Sequence, residues 1–208
     1  MDSLQLYERF LMDIDKYQTA VADIEEFNRY AARGLDEFIA NRYAEFEMVQ
    51  KRTDDLRLFV RQATLTRTSQ SVPFVLPDDY RHMLLVTATS PGDGCRPDYN
   101  VVLKKYTADI KGYGTFNYYY MPSEDNRFYQ IIEDRLIIMP DDLLSVYIEY
   151  IHQPVGFFID PSTFQPNGYE LPDPVCEQIL QIMTRQYRGD VFESAYQISV
   201  NETQLKKN

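Results

Sequence analysis

Three adjacent carboxylate pairs, Asp54/Asp55, Asp78/Asp79 and Asp141/Asp142, are the first candidates for acid–base chemistry in this chain of 208 residues. A glycoside-cleaving pair must face each other across a cleft, and adjacency in sequence does not supply that. Each pair stands at a helix start or a turn, where carboxylates accept backbone N–H groups and complement the helix dipole. The three pairs therefore read as caps. His82 and His152 have no thiol or carboxylate at the close spacing of a metal site. They read as packing or hydrogen-bonding groups, and Cys95 and Cys176, far apart in sequence, as free thiols. Ser90, Ser123 and Ser145 lack the strand–turn–helix setting of a nucleophile elbow. Gly92-Asp93-Gly94 is too short and too acidic to cradle a phosphate. The expectation is a protein with no catalytic residue, no cofactor and no metal.

The tract YGTFNYYY, from Tyr113 to Tyr120, invites a binding role instead. An aromatic platform of this kind stacks sugars or unpaired bases. Tyrosine also combines an apolar ring with a polar tip, and it is enriched where subunits meet. The second reading is preferred, because 17 Tyr and 12 Phe in a chain without Trp suit many subunit contacts. Tyr113, Phe116, Tyr118, Tyr119 and Tyr120 are the candidate interface residues of the loop. Phe38, Tyr43 and Leu56 are those of the helical part.

Composition limits the partners. A formal net charge of −11 argues against tight, sequence-independent binding to DNA phosphates. It is compatible with a surface past which DNA slides without adhering. A hydrophobic fraction of 44% is enough for a core. No apolar run approaches the roughly 20 residues that span a bilayer. The opening MDSLQLYERF has the wrong charge order for a signal peptide.

The elements that must position these residues are read from periodicity. Leu6, Tyr7, Phe10, Leu11, Ile14 and Tyr17 fall at helical spacing. A second helix, capped by Asp23, carries Ile24, Phe27, Ala31, Leu35, Phe38, Ile39 and Tyr43 on one face. Gly34 in its middle predicts a close crossing with the first helix. Thr53 or Asp54 caps a short helix over 55–60. Strands are expected over 72–76 and 84–89, with a helical turn in DDYRHML between them. The runs 128–132, 136–139 and 145–152 predict a three-stranded antiparallel meander. Asp173 and Pro174 open a helix whose buried face is Val175, Ile179, Ile182, Met183 and Tyr187. Gly189-Asp190 predicts a break before a last helix. The fold class is α+β: N-terminal amphipathic helices, an antiparallel β insertion, and C-terminal helices packing back. The expected division is 1–63 helical, 64–170 β-rich with long loops, and 171–208 completing the helical body as one structural unit.

Three stretches carry a resemblance. They are the acidic helix from Asp23 ending in ANRY, the segment Lys51-Arg52-Thr53-Asp54-Asp55-Leu56-Arg57-Leu58-Phe59-Val60, and Tyr150-Ile151-His152-Gln153-Pro154 followed by Glu170-Leu171-Pro172-Asp173 and a helix. In this order they resemble head–tail connector (neck) proteins of crAss-like tailed bacteriophages. The layout is similar to the tail tubular adaptors of podovirus-type phages. The resemblance implies a non-enzymatic virion protein at the portal vertex, assembled in the host cytoplasm. It implies a ring, usually of twelve copies, contacting the portal and adjacent neck or tail proteins. Genomic DNA would pass through the lumen, and no membrane would be involved. It carries no catalytic residues. Another tail component (hub or tube), or a carbohydrate-binding domain using the Tyr-rich loop, are the alternative readings.

Overall fold

The computed structural model describes residues 1–15, 22–44, 55–70, 72–90, 99–108, 110, 112, 121–124 and 126–205. The chain is α+β and divides into two compact units, Met1–Arg57 with Val155–Asn208, and Leu58–Pro154.

The first unit is helical and is built from both ends of the chain. Helix α1 (Ser3–Asp15) buries Leu6, Phe10 and Ile14, the predicted stripe. Helix α2 (Ile24–Ala44) starts where Asp23 accepts from the Glu26 amide (2.7 Å). The Glu26 carboxylate returns to the Asp23 amide (3.3 Å), closing a capping box. Its buried face is the expected one from Ile24 to Ile39, extended by Tyr30 and Gly34, while Tyr43 is only half-buried. Helix α3 (Asp173–Leu205) runs without a break through Gly189-Asp190. Asp190 is held there, accepting from the Tyr30 hydroxyl at 2.7 Å. The first helical bond of α3 runs from the Cys176 amide to the Pro172 carbonyl (3.1 Å). Asp173 thus lies inside the first turn and is not the cap. Phe10, Phe27, Tyr30 and Tyr187 tie the three helices together. The Phe10–Tyr187 and Tyr30–Tyr187 ring pairs are edge-on at 5.6 and 5.4 Å.

Gly34 does mark a close crossing, but with α3 and not with α1. A Cβ at this position would stand 2.7 Å from Met183 Cγ and 3.5 Å from the Ile179 carbonyl oxygen. Met183 is fully buried, so it has little room to yield. We expect Gly34→Val to destabilise the unit by about 2–3 kcal/mol through overpacking. Gly34→Ala should cost less, because the helix gains about 1 kcal/mol of propensity. Met183→Ala placed in the Gly34→Val background should recover part of the loss. Equal melting points for the Val single and double variants would contradict this crossing.

The second unit holds two four-stranded sheets. One has the order β1 (Val60–Thr66), β8 (Ser145–His152), β3 (Tyr80–Ser90), β4 (Tyr99–Val102) and is antiparallel throughout. The other has the order β2 (Phe74–Val75), β7 (Arg135–Met139), β6 (Phe128–Ile132), β5 (Lys104–Lys105), with β5 parallel to β6. Both sheets feed one core. Met83, Val86, Val146, Ile148 and Tyr150 from the first meet Phe74, Tyr129, Leu136 and Ile138 from the second. The period-2 alternation of β8 is what buries Val146, Ile148 and Tyr150 together.

Several expectations are corrected here. The three runs do not form a meander. β6 and β7 make a hairpin across Glu133-Asp134, but β8 leaves for the other sheet and lies between β1 and β3. The segment over 55–60 is not one helix, because a 3₁₀ turn at Arg57–Phe59 gives way to strand at Val60. The DDYRHML stretch is not a helical turn, since β3 begins at Tyr80 and runs eleven residues. The β-rich unit spans 58–154 where 64–170 was expected. Strand β1 begins earlier, and residues 155–172 pack with the helices.

Candidate functional site

The candidate acid–base pairs prove to be arginine partners. Asp55 lies 3.3 Å from Arg42 Nε. Asp79 accepts from the Tyr150 hydroxyl (3.0 Å) and from Arg61. Asp141 meets Arg67, and Asp142 takes both terminal nitrogens of Arg127, one of them at 2.9 Å. Ion pairing is thus seen for Asp55, Asp79, Asp141 and Asp142, while Asp54 lies outside the described residues. The Arg127 hydrogen bonds hold the Asp142 carboxyl below the usual carboxylate range, against the opposing effect of burial. These two arginines fasten the connection between β7 and β8. Arg67 Nε donates to the Leu143 carbonyl (2.7 Å), and its guanidinium covers the Phe74 ring at 4.7 Å. They build a corner of the fold.

Neither histidine has ligand company. His152 Nδ1 sits 2.9 Å from the Phe59 carbonyl, which fixes the proton on Nδ1 in the neutral ring. Burial lowers the pKa of both His82 and His152. The Cys176 thiol is buried and pushed up by that burial. Cys95 lies outside the described residues. Among the described residues no three His, Cys, Asp or Glu side chains converge as metal ligands. No described helix is long and apolar enough to cross a membrane.

The proposed interface residues separate into three groups. Tyr113, Phe116, Tyr118, Tyr119 and Tyr120 lie outside the described residues. Leu56 is fully buried and Phe38 nearly so within the single chain. Both belong to the core of the helical unit because they fall on its apolar faces. Tyr43 is half-buried.

The residues that do stand out at the surface of this unit lie in the connection between β8 and α3. The loop Phe158–Asn167 is closed on itself by three backbone bonds: Asp160 N to Gln165 O (3.0 Å), Phe164 N to Asp160 O (2.8 Å) and Asn167 N to Phe158 O (3.0 Å). Asp160 bonds the Ser162 amide (2.8 Å) and hydroxyl, and these bonds lower its pKa to about 2. Asn28 of α2 clamps the loop through both faces of Ile159, donating at 2.7 Å and accepting at 2.9 Å. Asn167 adds a bond to the Gly156 carbonyl (2.7 Å). On this fastened frame Phe164 is 64% exposed and Phe158 is 47% exposed. Phe164 also takes a left-handed φ of 56°. It closes a single helical turn at a position that glycine normally fills. The Asp-Pro-Ser-Thr turn signal was visible in the sequence; the exposure and backbone of Phe164 were not.

Two concavities complete the picture. In the helical unit, Phe38, Asn41 and Arg42 of α2 and Gln178, Ile182 and Arg185 of α3 line a groove of about 400 Å³. Ile182, expected in the core, is half-exposed there. Arg42 donates to Gln178 and pairs with Asp55, and Arg185 pairs with Glu37. In the β unit, Thr64, Thr87, Thr89, Asn100, Ser145 and Tyr147 line a shallow face beside the β7–β8 connection. Asp142, paired with Arg127, is the one charged residue of its lining.

No protein-family model and no curated protein sequence matches the chain.

Proposed function

We propose that this chain is a virion structural protein without enzymatic activity, a subunit of an adaptor ring between the portal and the tail of a phage. One observation carries the reading. Helices from both chain ends form one unit, and the β unit is inserted between them in the sequence. That is the order expected from the resemblance to head–tail connector proteins. Asp55, Asp141 and Asp142 serve arginine partners, which is in keeping with a structural role. The acidic charge suits a ring through which DNA slides with little adhesion. Twelve copies, with the portal on one face and a neck or tail protein on the other, is the arrangement the resemblance implies. The test is a cryo-EM map of the portal vertex of intact particles. A closed ring of this chain between portal and tail is the expected result; its absence from the virion would overturn the reading.

A second reading has its own observation. The hydroxyl and amide face around Thr87, Asn100 and Tyr147, with the carboxylate of Asp142 beside it, suits a polyhydroxylated ligand. Glycan-array binding that is lost in Tyr147→Ala would favour it.

A further inference from the structure

Asn167-Gly168 is the one Asn-Gly pair of the chain, and it stands where the loop Phe158–Asn167 gives way to the approach to α3. Both residues are exposed. An asparagine so placed holds an electrophile, its side-chain carbonyl carbon Cγ, beside a nucleophile, the backbone nitrogen of the next residue. Joining the two closes a succinimide ring.

The fold readies the groups this reaction needs. Asn167 Oδ1 accepts from the Tyr169 amide at 3.3 Å, which folds the side chain forward over the Gly168 peptide. It also accepts from the Ser3 hydroxyl of α1 at 3.0 Å, and Ser3 is fully buried. Negative charge that gathers on Oδ1 as Cγ is attacked therefore meets two donors already in place. Among the described residues the Gly168 amide donates to no group, so the attack gives up no hydrogen bond there. Gly168 takes a left-handed φ of 69°, and a Cβ on it would meet nothing within 4 Å. Its nitrogen is unshielded because glycine carries no side chain. Holding the two reacting groups together in this way supplies the proximity that an unfolded chain must find by chance.

We propose that Asn167 and Gly168 are a self-modifying site of the folded chain, at which the side-chain amide is lost through a succinimide. Solvent hydroxide takes the Gly168 amide proton, and the nitrogen bonds to Asn167 Cγ while the Ser3 hydroxyl and the Tyr169 amide hold the charged Oδ1. The Cγ–Nδ2 bond then breaks, and Nδ2 takes a proton from water and leaves as ammonia. A second water opens the imide. Addition at Cγ gives aspartate; addition at the backbone carbonyl gives isoaspartate, with the main chain rerouted through the side chain. Nothing is oxidised or reduced. The change reaches beyond the pair, because Asn167 ties the start of α1 at Ser3 to Gly156 and to Tyr169. The buried Gly156 carbonyl, which accepts from Nδ2 at 2.7 Å, loses that donor. An aspartate oxygen in the same place would face it acceptor to acceptor, so the converted helical unit should melt lower.

The test is incubation of the full folded chain in mildly alkaline buffer, followed by peptide mapping and by assay of released ammonia. Asn167 should be the first asparagine to convert, to both products, with ammonia released in step. The folded chain should convert at least as fast as the same chain held unfolded in guanidinium chloride. Asp2 caps α1 by accepting from the Gln5 amide at 2.8 Å, so Ser3→Ala leaves the helix start intact while removing one donor from Oδ1. That variant should convert several-fold more slowly than wild type. Asn167→Asp, which carries the aspartate product from the outset, should melt lower than fresh wild type. A folded chain that keeps the Asn167 amide while the unfolded chain loses it would overturn the proposal, since the fold would then protect the pair. A Ser3→Ala chain that converts as fast as wild type, or faster, would overturn it equally.

Discussion

Leu56→Asp is expected to unfold the helical unit at neutral pH. Leu56 is fully buried, directly after Asp55, whose carboxylate already engages Arg42 of α2 at 3.3 Å. Truncating a buried leucine costs about 2–5 kcal/mol by itself. The substituted carboxylate must also be desolvated, so the total should exceed ~4 kcal/mol. That is comparable to the whole stability of a typical domain. Burial disfavours the charged form, so the introduced acid would have a raised folded-state pKa. The native state then binds more protons than the unfolded one, and stability rises as pH falls. Urea melts at neutral and mildly acidic pH should therefore show Leu56→Asp recovering on acidification and Leu56→Ala unchanged by comparison. A Leu56→Asp chain that melts like Leu56→Ala at both would place this residue outside the core. The β unit carries its own core and should give its own transition in the variant.

The helices were legible because a spacing of three and four is a property of one segment read alone. Leu6, Phe10 and Ile14, or Phe27, Ala31 and Leu35, must share a face whatever they meet. Partners are not written in the same way. The alternation of Val146, Ile148 and Tyr150 identifies the buried face of β8 but not its sheet, so a neighbour in sequence need not be a neighbour in space. Gly34 announces a close approach without saying which helix approaches. The carboxylates of Asp141 and Asp142 could not be assigned, because Arg67 and Arg127 are brought to them by the crossing from one sheet to the other. Phe164 was hidden for a different reason. Sequence patterns describe residues in favourable conformations, and this one is held in an unfavourable one.

Breaking the Arg127–Asp142 pair is the other change with a large expected effect. Arg127 is the largest fully buried side chain among the described residues, and Asp142 accepts from both of its terminal nitrogens. Removing one partner of a fully buried pair costs about 3–5 kcal/mol. The Asp142 side chain is 39% exposed, so water can partly replace it, and Asp142→Ala should cost about 2–3 kcal/mol. The removal of both charges by Arg127→Met with Asp142→Leu should cost less than Asp142→Ala alone, because no guanidinium is left buried without its partner. If the single and double variants melt together, the pair contributes nothing. The pH dependence has a definite sign. The folded-state pKa of Asp142 is lowered, so its contribution is present above the unfolded carboxylate value of 3.8 and is lost as pH falls through the folded value. His82 and His152, lowered from 6.5 by burial, act in the same direction at higher pH, since the unfolded chain takes up their protons first. The β unit should thus lose stability in two stages on acidification, the first below about 6.5 and the second below about 3.8. In Asp142→Asn the second stage should shrink while the first remains, because the histidines belong to β3 and β8 and not to the connection that Asp142 secures.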